Sequence, residues 1–146
     1  MHLPKFYWMH KHHHHSRATN PWTSLSFSVM ERFVLYGGVI LIPGIVSQFV
    51  PLSFDGYFLY FLANYILNVY GHLNVETVKP RFVNTWLGRF MNTTTYHALH
   101  HARYKGHYGL FTQTLDRWHD TRFADYEAVQ KAAAEQSTPG ETWGVL

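Results

Sequence analysis

The stretch "FVLYGGVILIPGIVSQFVPLSF", Phe33–Phe54, runs for 22 residues without a formal charge. As helix it would cover about 33 Å, enough to cross the hydrocarbon core of a bilayer. Its apolar side chains surround the whole circumference, so it does not read as a surface helix. Gly37, Gly38, Pro43 and Gly44 interrupt it, and such residues are better tolerated in lipid than in a water-facing helix. Asp55-Gly56 reads as a turn, and a second uncharged segment, "YFLYFLANYILNVYG", follows to Gly71. It is shorter, which leaves a half-inserted hairpin open beside a full span. Tyr57, Tyr60, Tyr65 and Tyr70 suit the bilayer interface. The bland alternative is a buried helix pair in a soluble protein. The expectation is an all-α chain built on a membrane hairpin over about residues 33–71.

A hairpin returns the chain to the side it left, so residues 1–32 and 72–146 share one aqueous face. Lys5, Lys11, Arg17 and Arg32 flank one end and Lys79, Arg81 and Arg89 the other, whereas the far loop carries only Asp55. The positive-inside rule then puts both flanks in the cytoplasm.

Both flanks are rich in histidine. His10, His13 and His14 stand at i, i+3, i+4, and on a helix they span about 100° of arc. His12 and His15 point the other way, and His2 returns close to the His13 direction. Residues 1–16 and about 90–106 are expected to be helical. The second cluster, His97, His100 and His101, repeats the spacing, and His72 lies where the apolar hairpin ends. Glu76 falls one turn after His72. A run such as His12–His15 alone suggests a purification tag. Two matched triads meeting on one side of a hairpin point to metal instead, because neutral imidazole ligates zinc, copper, iron and nickel. Six to eight imidazoles suit two ions better than one. The HExxH glutamate of zinc hydrolases is missing.

Composition narrows the classes. The chain has 146 residues, 12 histidines, no cysteine and a net charge of +3. Thiolate zinc sites, iron–sulfur clusters and disulfides are excluded. The basic residues form no stripe, which argues against nucleic acid. No signal peptide is visible, and the first residues read as though the chain opens within a larger pattern. "HYGLFTQTLDRW" reads as loop or short helix, Ala124–Gln136 as a polar helix, and residues 137–146 as a flexible tail after a single domain over 1–136.

Three quoted pieces, "HKHHHHS", "GHLNVE" and "YHALHHARYKGHYGLFTQTLDRW", resemble the fatty acid hydroxylase superfamily, the sterol desaturase and hydroxylase group of membrane di-iron proteins. There a box of the form HKxHH precedes a transmembrane pair, and a lone histidine, HxxHH and a segment like NYGxxxxxWDR follow. His2, two residues before Pro4, is similar to the close of the family's earlier HxxxH box. The resemblance implies two irons held by His2, His10, His13, His14, His72, His97, His100 and His101, although zinc can occupy such sites in a preparation. It implies Glu76, Asn74, Tyr108 and Asp116 as outer-shell candidates. It further implies O2 as cosubstrate, a hydroxylated or desaturated lipid (sterol or fatty acyl) as product, and membrane lipid around the hairpin. The membrane would be the endoplasmic reticulum in a eukaryote or the inner membrane in a bacterium. Electrons would come from an external donor of the cytochrome b5 or ferredoxin type, since the chain has no GxGxxG fingerprint.

The departures from the pattern set further expectations. The first histidine of the earlier box and an upstream transmembrane pair are expected to be lacking. Ser28 stands where the family often has the histidine of FHPxE. His107 replaces the asparagine of NYG and reads as a possible ligand or, more readily, an exposed loop histidine. Leu115 replaces the tryptophan of WDR. A truncated or degenerate metal-binding membrane protein without oxygenase activity is therefore the alternative reading. A bis-histidine haem protein is disfavoured by the adjacent triads.

Overall fold

A computed structural model describes residues 5–136. His2 and the expected tail over 137–146 lie outside the described residues. The chain forms α1 (Tyr7–His10), α2 (Val29–Val46), α3 (Phe54–Gly71), α4 (Trp86–Phe90), α5 (Thr94–Arg103), α6 (Thr114–Trp118) and α7 (Tyr126–Gln136). Tight 3₁₀ turns at His13–His15, Pro21–Leu25 and Pro80–Asn84 connect them. There is no strand among the described residues, only an isolated bridge between Met91 and Thr112.

The two long helices begin on serine caps. Ser28 is extended and its hydroxyl accepts from the backbone of Glu31, while Ser53 does the same for Gly56. Each cap satisfies one of the amide donors left over at a helix start. The expected turn at Asp55-Gly56 is corrected by this: both residues sit in the first turn of α3, and the reversal lies between Ser47 and Ser53, where Pro51 resists helix. The uncharged run is thus not one 22-residue helix. α2 starts earlier, at the cap, and stops at Val46, giving 18 residues or about 27 Å.

Among the described residues, α2 is the one helix long and apolar enough to cross a membrane. α3 has the same length. Both turn large apolar side chains outward: Phe33, Ile40, Leu41 and Ile42 on α2, and Phe54, Phe58, Leu59 and Ile66 on α3 are exposed. Leu35 and Asn68 line one cavity, and Pro43 and Tyr57 another. The helices therefore run antiparallel, and the start of α2 and the end of α3 reach the same end of the molecule.

That end carries the packed part. α5 is its axis, buried continuously from Thr94 to His101. Val83, Tyr96, Leu99 and Tyr126 form a small apolar core, with Phe123 and Val129 against it. The continuous helix expected over 90–106 is broken at Met91–Thr93. Met91 is extended, and Thr93 caps α5 by accepting from the amide of Tyr96. The helix expected over 1–16 is likewise replaced, over the described residues, by the single turn α1 and a 3₁₀ turn. Ala124–Gln136 reads correctly as helix, starting two residues later as α7.

Candidate metal centre

Three segments deliver histidines to one place. α5 contributes His97, His100 and His101, all buried. α3 ends at Gly71 and leaves His72 as the next residue, wholly buried. The N-terminal segment supplies His10 from the end of α1 and His13 and His14 from the following 3₁₀ turn, while His12 and His15 face outward. The inward and outward sorting expected from a helix thus survives without one, because a 3₁₀ turn also sets near neighbours on one side.

The seven inward histidines divide into two groups, and within each group the ring nitrogens lie within 4.8 Å of one another. His13, His72, His97 and His101 form the first group, and His10, His14 and His100 the second. The groups abut: the His14 ring centroid is 4.8 Å from that of His101, and the His10 centroid 5.3 Å from that of His13. In a tetrahedral site with metal–nitrogen bonds of about 2.1 Å, neighbouring nitrogens would be about 3.4 Å apart. The first group already approaches this, with His72 Nε2 3.3 Å from His13 Nε2 and 3.3 Å from His97 Nε2.

The hydrogen bonds explain why those nitrogens converge. A carbonyl oxygen can only accept, so each imidazole that meets one must carry its proton there. His13 Nδ1 faces Ser26 O at 3.3 Å, His72 Nδ1 faces Asn68 O at 2.8 Å, His100 Nδ1 faces Gly106 O at 2.8 Å and His101 Nδ1 faces Ser16 O at 3.1 Å. In every case Nε2 is left as a bare lone pair. Lone pairs of His13 and His72 at 3.3 Å repel unless a proton or a cation lies between them, and buried His101 Nε2 has no hydrogen-bond partner among the described residues. Outer carbonyls that fix the tautomer of inner imidazoles are a known feature of metal sites. The residues fit a pair of cations.

Electrostatics agree. Burial, then the neighbouring His72 and His10, pushes His13 down to about 3. Burial pushes His72 and His100 down to about 4 against the pull of their backbone bonds. His97 and His101 are lowered by burial and by the other histidines. At neutral pH these rings are uncharged, the form that binds metal.

The remaining sequence candidates lie outside both groups. Glu76 is not on a helical face shared with His72: the chain leaves α3 there, Asn74 is left-handed at φ 55°, and Glu76 accepts from the amide and hydroxyl of Thr95 at the start of α5. Asn74 is buried. Tyr108 stands edge-on to His100 with ring centroids 6.0 Å apart. Asp116 accepts from Tyr108 N at 2.8 Å, Gly109 N at 2.7 Å, the Tyr96 hydroxyl at 2.9 Å and the Thr121 hydroxyl at 2.6 Å. Burial pushes its carboxyl up, but these donors outweigh burial and hold it below its ordinary value. Asp116 therefore shapes the loop behind His100. Gly109 is required there, since a Cβ would come within 2.0 Å of Thr112 O.

His107 overturns its reading as an exposed loop residue. It is 1% exposed, stacks on Tyr96 with centroids 3.6 Å apart and donates Nδ1–H to Tyr96 O at 3.0 Å. It belongs to neither metal group, but it lines the cavity beside them. Ser28 is a cap and not a ligand, its hydroxyl donating to Met9 O at 2.7 Å. The residue that sequence reasoning passed over is Glu31, which is fully buried and bonds His10 Nδ1. The available signal was its place as the closing glutamate of the FHPxE pattern, of which Phe27 and Glu31 are kept.

A cavity of about 170 Å³ opens beside the cluster, its lining combining His10, His13, His97, His100 and His107 with the apolar Phe27, Leu35 and Leu110 and the polar Glu31, Asn68 and Tyr108. It sits where α2 and α3 meet the histidines, so an apolar chain in that cavity would lie against the cluster.

Known proteins share this chain's pattern. The family model for fatty acid hydroxylase matches residues 1–121. Very-long-chain aldehyde decarbonylase CER1 of Arabidopsis thaliana is 29% identical over 90% of this chain and 23% of its own length. Very-long-chain aldehyde decarbonylase GL1-5 of Oryza sativa subsp. indica is 33% identical over 77% of this chain and 18% of its own. Delta(7)-sterol 5(6)-desaturase erg3C of Aspergillus fumigatus is 24% identical over 90% of this chain and 43% of its own. The chain thus spans a quarter or less of those two decarbonylases and under half of the desaturase. No solved structure matches. With the match covering the helix pair and both histidine groups, the chain belongs to the fatty acid hydroxylase family.

Proposed function

We propose that this chain is the metal-binding and lipid-facing core of a membrane oxidoreductase that acts on a C–H bond of a long apolar lipid, by O2-dependent hydroxylation or desaturation. The observation that carries this reading is the double group of converging histidine ring nitrogens beside a partly apolar cavity. His13, His72, His97 and His101 would hold one iron, and His10, His14 and His100 the other, with His2 a further ligand. When bound, the iron pair supplies the oxygen chemistry that no side chain here can perform. Phe27, Leu35 and Leu110 would hold an alkyl segment against the histidines and exclude water. Gly106 O, Asn68 O, Ser26 O and Ser16 O keep the imidazole protons on the outer side, so the inner nitrogens stay available.

The relatives named for a very-long-chain aldehyde and for a sterol support a substrate reached from lipid. α2 and α3, with their outward apolar side chains, would lie in the bilayer, the histidines would face the cytoplasm, and residues 1–136 would act as one unit. An external electron donor of the cytochrome b5 or ferredoxin type completes the reading. One observation favours the alternative, a metal-binding protein without oxygenase activity. The second group has three histidines against four in the first, and Ser28, where the family often has histidine, serves as a helix cap.

Metal content per chain on detergent-purified protein, beside a His100→Ala variant, tests the reading. About two irons, with one lost in the variant, supports the di-iron site and warrants assays for lipid oxidation. One ion or none supports the alternative.

A further inference from the structure

The two histidine groups are built with different outer partners. Each first-group ring given an outer contact above, and His100 of the second, meets a neutral backbone carbonyl. His10 instead meets a carboxylate: its Nδ1 bonds Glu31 Oε1. Glu31 is 0% exposed, and its other oxygen, Oε2, is buried with no hydrogen-bond partner among the described residues. A buried carboxylate with one oxygen left unpartnered is costly. Its charge needs a compensating cation close by, and the group holding His10 is where one fits.

The contact is also tethered. Ser28 Oγ accepts from the Glu31 amide at 3.2 Å and donates to Met9 O at 2.7 Å. One hydroxyl thereby joins the residue preceding His10 to the first turn of α2, which carries Glu31. Because the carboxylate accepts, Nδ1 donates, and His10 Nε2 is turned toward His14 and His100.

We propose that Glu31 is a positioning residue for the three-histidine site: it orients His10 and supplies the negative charge that this site uses in place of a fourth histidine, making the two sites unequal. This rests on the metal reading above. A carboxylate behind a ligating imidazole raises its basicity, and losing such a partner typically weakens metal binding about 10- to 100-fold. The four-histidine site, oriented by carbonyls, does not depend on Glu31.

The test is a cobalt(II) titration of the full chain in detergent, followed by its visible spectrum and against a competing chelator, for wild type, E31Q and H10A. Wild type is expected to bind two ions. E31Q is expected to keep one at wild-type affinity and weaken the other about 10- to 100-fold, with the band of one site lost and that of the other unchanged. The double variant E31Q/H10A should bind no more weakly than H10A, because Glu31 acts through His10. Should E31Q fail to fold, Glu31→Asp, which keeps the charge but shortens its reach, should show the same one-site weakening. Two ions at unchanged affinity in the Glu31 variants overturn the proposal while leaving the metal reading intact, as does equal weakening of both sites. A wild-type chain that takes up no cobalt overturns both.

Discussion

The helix pair and the histidine end of this molecule reverse the usual arrangement of a protein in opposite ways. α2 and α3 carry apolar side chains almost wholly on the outside. At the other end the interior is polar: among the described residues, eight buried residues are apolar and nineteen are polar or charged. An exposed apolar surface of this size marks an interaction surface, and buried polar groups without partners are costly. On the proposed reading each region has a partner that is not protein, lipid for one and cations for the other. The lesson is that the two regions should fail independently, under different treatments.

Acid should separate them most sharply. In metal-free protein the folded-state values of His13, His72 and His100 lie below the ordinary 6.5. The unfolded chain therefore binds more protons, and stability present above pH 6.5 is lost as pH falls toward 4 and 3. Each of these histidines contributes on the order of 3 kcal/mol. The histidine end should unfold across that window, while α2 and α3, whose carboxylates are Glu31 at the start of α2 and Asp55 at the start of α3, keep their helical signal. Hydrogen exchange in detergent micelles resolves the two, and equal loss in both regions would break the contrast.

Chelation should act on the same end at neutral pH. Ions present at a thousand times their dissociation constant stabilise the native state by about 4 kcal/mol, so stripping them should lower the unfolding midpoint of the histidine end only. An unchanged midpoint would show that the imidazoles pack stably without cations.

A lysine on the helix pair probes the other partner. Leu41 is 64% exposed. In water Leu41→Lys would be nearly neutral, whereas at the centre of a spanning helix it costs about 3 kcal/mol. Reduced membrane insertion of the variant, read by alkaline extraction, is expected; full insertion would remove α2 from the bilayer core.

The smallest effect belongs to the outward histidines. His12→Ala and His15→Ala should leave metal content unchanged and shift stability by less than about 0.5 kcal/mol, in contrast to His13→Ala and His14→Ala beside them. Metal loss in the outward pair would erase the distinction between the two sides of the segment.

Much of this was legible in the residues alone. The uncharged run announced an apolar helix, the repeated i, i+3, i+4 spacing announced two histidine faces, and the order of the motifs announced the family. These are local or composition-driven signals, and they survive inaccurate boundaries. Even with residues 5–16 forming a single turn and a 3₁₀ turn, His10, His13 and His14 still converge, because short-range geometry sorts them similarly.

What only the tertiary structure decided depends on contacts between residues far apart in the chain. No spacing relates His13 to His72 or His101, so the division into groups of four and three follows from how α3 and α5 meet the N-terminal segment. His107 looked like a loop residue because its neighbours are polar, and it is buried because Tyr96 and Phe123 enclose its ring. Glu31 drew little notice because a charge at a helix start is ordinary. It gains its importance from His10, 21 residues earlier. Sequence determines which side chains can ligate and which helices are apolar all round, because those are properties of residues and their near neighbours. The fold decides which ring nitrogens converge, because that requires distances no local pattern contains.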